Sequence, residues 1–159
     1  MARKGQIKPR DIEPDPVYGS RLLTKLINRS MLAGKKSVAR REIYRAMEII
    51  KEKTGDAPEK VFDQAMENIK PSMEVRARRV GGAAYQVPAP VRGPRKESLG
   101  IRWLVAAANS KPNSEFHTYA EKLAAEIIDA SKGEGVSVKK RLEVERVAEA
   151  NKAFSHFRW

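Results

Sequence analysis

The sequence predicts a mainly α-helical fold: a single domain of about six helices with a protruding two-stranded β-hairpin. The chain has 159 residues, the usual size of one domain. Apolar residues recur at helical spacing through most of it. One segment, at about residues 73–88, instead alternates with a period of two around a Gly-Gly pair, which is typical of a hairpin.

Three helices are expected in the first half of the chain. The first ends before Gly34, and the second runs from about Ser37 to Gly55. The third begins at an N-cap supplied by Asp56 and ends at Pro71. The residues expected to face the core are Leu22, Leu23, Leu26, Ile27, Ala39, Ile43, Met47, Ile50, Val61, Phe62, Ala65, Met66 and Ile69.

The Gly81-Gly82 pair sets the register of the hairpin, because glycine accepts a positive φ without steric cost. With this turn, Arg78 faces Tyr85, and Arg76 lies on the same side. Neither face is apolar enough to pack on a core, so we expect the hairpin to protrude. It is either simply solvated or, as we favour, laid against nucleic acid with Tyr85 available to stack on a base.

Three more helices are expected after the hairpin. Residues 99–108 are almost wholly apolar and predict a buried helix. The next helix begins at a cap supplied by Asn113 or Ser114, and the last is capped by Ser137 and runs to about Ala153. Composition thus divides the chain into a basic arm (1–16), a helical nucleic-acid-binding domain (17–153) and an aromatic, basic tail (154–159). That tail suits either docking on the domain or stacking on bases.

The positive charge is concentrated in two segments. The chain carries 32 Lys and Arg against 20 Asp and Glu, a net charge of +12. Residues 1–41 hold 11 basic and 3 acidic side chains, and residues 70–111 hold 9 and 2. Residues 42–69 are net acidic, and residues 112–159 are neutral. Such segregation favours a binding surface for a polyanion over charge that serves solubility alone.

The candidate polyanion contacts lie in these two segments. Lys36 and Arg40 are one turn apart at a helix start, where unpaired backbone N–H groups also attract phosphate. The hairpin arginines offer guanidinium forks, and Arg92 and Arg95 continue that surface. The expected contacts are Arg3, Lys4, Lys8, Arg10, Arg29, Lys35, Lys36, Arg40, Arg41, Arg76, Arg78, Arg79, Tyr85, Arg92 and Arg95.

Catalytic and metal chemistry find little support in the sequence. With no cysteine and only His117 and His156, there is no disulfide, thiolate zinc site or histidine cluster. His117 could pair with Glu115 or Glu121 as a general base, but no nucleophile accompanies it. We therefore expect no enzyme, cofactor, metal or small-molecule substrate. No apolar run nears the roughly 20 residues that span a bilayer, so the protein is expected in the cytoplasm without a membrane partner.

Ordered segments along the chain carry a resemblance to a known family. The most specific is residues 75–88, Val-Arg-Ala-Arg-Arg-Val-Gly-Gly-Ala-Ala-Tyr-Gln-Val-Pro. The others are residues 15–20, 26–29, 34–36, 101–104 and 148–154. Together they make nearly the whole chain resemble bacterial ribosomal protein seven of the small subunit. The chain departs from the family pattern at residues 106–110, where Ala-Ala-Ala-Asn-Ser replaces a basic run.

The resemblance implies a structural role in the ribosome. The family binds the 3′ major domain of small-subunit ribosomal RNA and nucleates assembly of the subunit head, near the exit-site transfer RNA and the messenger RNA path. Its protein neighbours would include small-subunit ribosomal proteins nine and eleven. Carried over, the RNA contacts fall on the N-terminal arm and on Lys35, Lys36, Arg40, Arg76, Arg78, Arg79 and Arg92.

The alternative is a DNA-architectural protein, which can also combine a helical body with basic β-arms. Proteins of that class carry an apolar wedge at the tip of the arm. The tip of this hairpin, Gly81-Gly82-Ala83, offers none.

Overall fold

The structure, a computed structural model, describes residues 11–157. The predicted architecture of helices with one antiparallel hairpin is confirmed. The helices and strands, in chain order, are α1 (Arg21–Ser30), α2 (Lys36–Thr54), α3 (Pro58–Ile69), β1 (Met73–Val80), β2 (Ala83–Pro90), α4 (Gly93–Ser110), α5 (Tyr119–Ser131), α6 (Val136–Ala150) and a C-terminal 3₁₀ helix (Lys152–Phe157).

The core lies between the helices, with α5 packed against α2, α3 and α4. Every residue predicted to face inward in α1, α2 and α3 is buried except Leu22, which packs on the core while partly exposed. Leu123, Ala124 and Ile127 of α5 are fully buried among them. In the part of the chain described, no helix combines the length and apolar character needed to cross a membrane.

The hairpin has the predicted register: Val80 pairs with Ala83, Arg78 with Tyr85, and Arg76 with Val87. The prediction that neither face packs on a core is wrong at the base. There Val87 is buried, and the strands contact α6 and the 3₁₀ helix. The strands also continue to Pro90, so only two residues separate β2 from α4.

The predicted caps of α3 and α5 are wrong. Helix α3 begins at Pro58, so its N-cap is Ala57 and not Asp56. Ala57 has no side-chain acceptor, and the cap makes no side-chain hydrogen bond. Thr118, not Asn113 or Ser114, caps α5, and its hydroxyl accepts from the Glu121 amide at 3.2 Å. The Glu121 carboxylate accepts in return from the Thr118 amide, which completes a capping box.

The last helix also differs from the prediction at both ends. Gly135 is the N-cap of α6, and Ser137 is buried inside the helix. There its amide and its hydroxyl both donate to one carboxylate oxygen of Glu126, at 2.8 and 2.7 Å. Helix α6 ends at Ala150, and the chain then turns into the 3₁₀ helix.

Candidate nucleic-acid interface

Four of the predicted arginines line one groove at the base of the hairpin. Arg76 and Arg78 reach it from β1, because alternate residues of a strand share a face. Arg92 and Arg95 reach it from the start of α4, which follows β2 after two residues. The groove has a volume of about 630 Å³, and four apolar side chains complete its lining. These are Val87, Ala89, Pro90 and Pro94. We call this feature the arginine groove.

The carboxylate of Glu74 holds two of the arginine side chains that line the arginine groove. Its side chain is buried, and its two oxygens accept from Nε of Arg95 at 2.7 and 2.8 Å. Nε of Arg76 donates to the same carboxylate at 2.8 Å. The bond from Arg95 lowers the pKa of Glu74, burial opposes this, and the bond from Arg76 adds to the lowering, so the net pKa is below its usual value. Glu74 therefore stays ionised at neutral pH and holds two cations whose side chains remain half exposed.

The other two predicted contacts of the hairpin do not line the arginine groove. Arg79 pairs with Ala84 on the opposite face of the hairpin and is exposed. Tyr85 packs against the C-terminal 3₁₀ helix, with its ring centroid 5.3 Å from that of Phe154 and 5.2 Å from that of Phe157. The tail residues 154–157 thus dock on the domain, the first of the two arrangements expected from the sequence.

The second basic cluster lies at the start of α2. Lys35 is the N-cap and makes no side-chain cap bond, so the N-terminal end of α2 carries no side-chain cap beside exposed Lys35 and Lys36. Arg40 and Arg41 follow one turn later and line a shallow concavity with Arg45. Nε of Arg40 is buried and has no hydrogen-bond partner within residues 11–157. The guanidinium of Arg40 is therefore partly withdrawn into the protein, and the exposed side chains of Lys35, Lys36 and Arg41 are the cations of this cluster open to a phosphate.

Arg45 belongs to this cluster, although the sequence argument did not select it. Glu42 lies between Arg41 and Arg45, at 3.8 and 3.4 Å from their nitrogens, and partly neutralises both. The spacing of Arg41 and Arg45 could have indicated that both belong to one cluster, since residues four apart share a helix face. The net acidic composition of residues 42–69 obscured this pattern.

Asp15 anchors the segment before α1 to Tyr44 of α2. Asp15 is buried and accepts from the amides of Val17 and Tyr18, each at 3.2 Å. The Tyr44 hydroxyl lies 2.9 Å from both oxygens of the same carboxylate. Burial, and then the bond to Asp15, raises the pKa of Tyr44 above 10.0. The predicted contacts of the arm itself lie outside the described residues; they are Arg3, Lys4, Lys8 and Arg10.

Two groups that invite a chemical interpretation have structural roles. The Glu121 carboxylate, considered with His117 as a general base, accepts the amides of His117 and Thr118. These backbone bonds lower the pKa of Glu121. Lys111, which follows the atypical segment 106–110, is mostly buried and pairs with Glu126 at 3.2 Å. Burial lowers the pKa of Lys111, but bonds to carboxylates outweigh it and raise the net pKa. Within residues 11–157 there is no group of three side chains suited to a metal ion.

A helical body with a basic hairpin and a groove lined by arginines is typical of proteins that contact the phosphate backbone of a nucleic acid. A family model described as "Ribosomal protein S7p/S5e" matches residues 2–152. The chain therefore belongs to the ribosomal protein S7p/S5e family, whose members are structural components of the small ribosomal subunit and not enzymes.

Relatives of this chain match it over their full length. The chain is 55% identical to small ribosomal subunit protein uS7 of Desulforamulus reducens, over 100% of both chains. It is 54% identical to the uS7 proteins of Carboxydothermus hydrogenoformans and Streptococcus mutans, again over 100% of each. The recognition made from the sequence segments is thus confirmed.

Proposed function

We propose that this chain binds the 3′ major domain of small-subunit ribosomal RNA and nucleates assembly of the subunit head. In the assembled ribosome it lies near the exit-site transfer RNA and the messenger RNA path, with small-subunit ribosomal proteins nine and eleven as neighbours. RNA binding is expected for the family. The RNA contacts proposed are the fourteen basic residues selected from the sequence, without Tyr85, because its ring packs against Phe154 and Phe157.

The arginine groove is the observation that carries this proposal. It gathers guanidinium groups from residues that are up to 19 positions apart in the chain, and Glu74 holds two of them in place. Phosphates of a folded RNA repel one another when strands converge, and fixed cations offset that repulsion while releasing counterions. Specificity comes from the shape of an RNA junction, because the A-form major groove is too narrow for side chains to enter.

The direct test is filter binding to a transcript of the 3′ major domain over a range of salt concentrations. Arg78→Ala combined with Arg92→Ala removes two groove cations without touching the Glu74 pairs. We expect a loss of affinity of about 10-fold or more and a shallower salt slope, by about one to two, because fewer counterions are released.

Lys53→Ala with Lys60→Ala is the matched control, since it removes two exposed charges from the net acidic segment. It should leave the salt slope nearly unchanged. Equal losses in the two double variants would contradict a localised binding surface. Equal affinity of the unmodified protein for random duplex DNA and for the ribosomal RNA transcript would favour the DNA-architectural alternative.

A further inference from the structure

A second groove lies beside the arginine groove, between α1 and α4. Its volume is about 410 Å³, within the roughly 300–1,000 Å³ of small-molecule sites. Ile101 is buried at its floor, and Ile12 and Pro94 complete an apolar lining. Its polar rim consists of Lys25, Asn28, Arg29 and Ser98.

The polar groups of the rim have different tasks. Lys25 forms a hydrogen-bonded ion pair with Glu97 of α4, which ties α1 to α4 across one side of the groove. Asn28 and Arg29 are exposed on the last turn of α1. An amide offers an acceptor beside two donors, which matches the edge of a nucleobase, and a guanidinium plane can stack on its face.

The two grooves adjoin at Pro94, which lines both of them. An RNA strand with its phosphates on Arg92 and Arg95 would need to cross only Pro94 to reach the second groove. A base of that strand that is unpaired can leave the stack and enter an apolar slot, whereas a paired base cannot.

We propose that the groove between α1 and α4 is a nucleobase-binding site that receives one unpaired base of the bound RNA. The proposal rests on the proposed function and adds to it a point of base recognition. The apolar lining covers the face of the base, Asn28 pairs with its edge, and Arg29 lies at the mouth. Contacts between the groove arginines and the RNA phosphates then supply affinity, and the base site sets which nucleotide lies at the arginine groove.

The test fills the groove and removes the base in the same experiment. Ser98 is exposed on α4, so Ser98→Tyr places a ring in the groove without entering the core. The probe is the 3′ major domain transcript, with each unpaired nucleotide replaced in turn by an abasic one. For the unmodified protein, one abasic position should lower the affinity about 10-fold, which is typical of losing one stacked base. Ser98→Tyr should show the same loss on the intact transcript and no further loss at that position, because coupled changes are not additive.

Three comparisons decide between the outcomes. Asn28→Ala should weaken binding to the intact transcript several-fold and cause no further loss on the transcript that is abasic at that position. Gln64→Tyr, which places the same ring on an exposed position of α3, should have no effect. If Ser98→Tyr binds the intact transcript like the unmodified protein while Arg78→Ala with Arg92→Ala loses affinity, the base site is wrong and the proposed function stands. If neither variant loses affinity, both proposals fail. Additive losses at every abasic position would also overturn the base site.

Discussion

At the scale of single residues, Glu74 does the most to shape the candidate site. It is an acidic residue in a surface proposed to bind an anion, yet burial and two arginine partners make it a positioning group. Because its carboxylate accepts from Arg95 on α4 as well as from Arg76 on β1, it joins the hairpin to the helical body. Two of the four groove cations are thereby held in fixed places without being fully neutralised.

Replacing Glu74 should cost stability in a pH-dependent way. The folded pKa of Glu74 lies below its usual 4.5. Ionised Glu74 therefore adds its full contribution to stability above the usual value of 4.5, and this contribution is lost as the pH falls through the lower folded pKa. We expect Glu74→Gln to lower the free energy of unfolding by about 1–3 kcal/mol at pH 7, since hydrogen bonds to charged groups are lost. Urea titrations at pH 7 and below pH 4 measure this difference, which should shrink at the lower pH.

Glu67→Gln is a suitable control for the same titrations. Glu67 pairs with Lys70 but is mostly exposed, so its loss should be small at either pH. A difference for Glu74→Gln that stays constant from pH 7 to below pH 4 would show that the carboxylate does not act through its charge.

Gly135 illustrates a second constraint that acts at one residue. Its φ of +94° already favours glycine, and a Cβ there would lie 2.9 Å from Oε1 of Glu126. Gly133 has a φ of +84° but open space around it. Gly133→Ala should therefore cost only backbone strain of about 1 kcal/mol, whereas Gly135→Ala should cost at least about 1 kcal/mol more by displacing Glu126. Thermal melts compare the two variants, and equal losses would contradict the role given to Glu126.

The sequence predicted residues at this scale unevenly. Arg76, Arg78, Arg92 and Arg95 were selected correctly as neighbours, because hairpin register and chain proximity place them together. The Glu74–Arg95 pair was missed, since side chains 21 positions apart leave no periodic signal. The caps were missed for a related reason: Asp56, Asn113, Ser114 and Ser137 all have capping chemistry, and only the exact helix start decides among such residues.

At the scale of elements, the C-terminal 3₁₀ helix changes the meaning of Tyr85. The sequence presented Tyr85 as a free stacking ring, but Phe154 and Phe157 lie against it. The two phenyl rings themselves are parallel within 15°, with centroids 6.5 Å apart. Aromatic contacts of this kind add about 0.5–1.5 kcal/mol beyond the burial of area. The 3₁₀ helix is thus a brace for the hairpin.

Removing the brace should loosen the hairpin more than the body. We expect Phe154→Ala with Phe157→Ala to raise amide hydrogen exchange in β2 by about 10-fold or more, while α5 stays protected, because local stability differs between elements. Phe154→Leu with Phe157→Leu keeps apolar contact and should give a smaller increase. Hydrogen exchange read by mass spectrometry measures both, and equal exchange in β2 for the Ala variant and the unmodified protein would rule out a bracing role.

At the scale of the whole molecule, the net charge of +12 opposes folding before any RNA is bound. The groove arginines lie close together, and their repulsion is screened by salt. We expect the melting temperature of the free protein to rise by a few degrees between about 50 mM and about 500 mM sodium chloride. Differential scanning calorimetry measures this, with Arg78→Ala and Arg92→Ala combined as the comparison. The double variant should show a smaller rise, and a melting temperature that falls with salt would mean that ion pairs outweigh repulsion.

The general architecture was also the most predictable level. Helical periodicity covered six segments and one Gly-Gly turn fixed the hairpin, because each pattern depends on neighbours a few residues apart. What the sequence could not supply was the seating of the hairpin on α6 and on the 3₁₀ helix. That contact involves Val75 and Pro88, which share clefts with residues of α6, and Tyr85, which packs on Phe154. All three look like ordinary strand residues until the elements are packed together.

The short connection between β2 and α4 couples the hairpin mechanically to the helical body. Each strand has eight residues and so extends about 26 Å from its base. Only residues 91–92 join β2 to α4. The Glu74 carboxylate of β1 also accepts a hydrogen bond from Arg95 in the first turn of α4. A force applied at Gly81 and Gly82 is therefore passed to the first turn of α4 as well as to α6 and the 3₁₀ helix, on which the strands pack. Contact at the tip of the hairpin thus reaches the helical body of the protein.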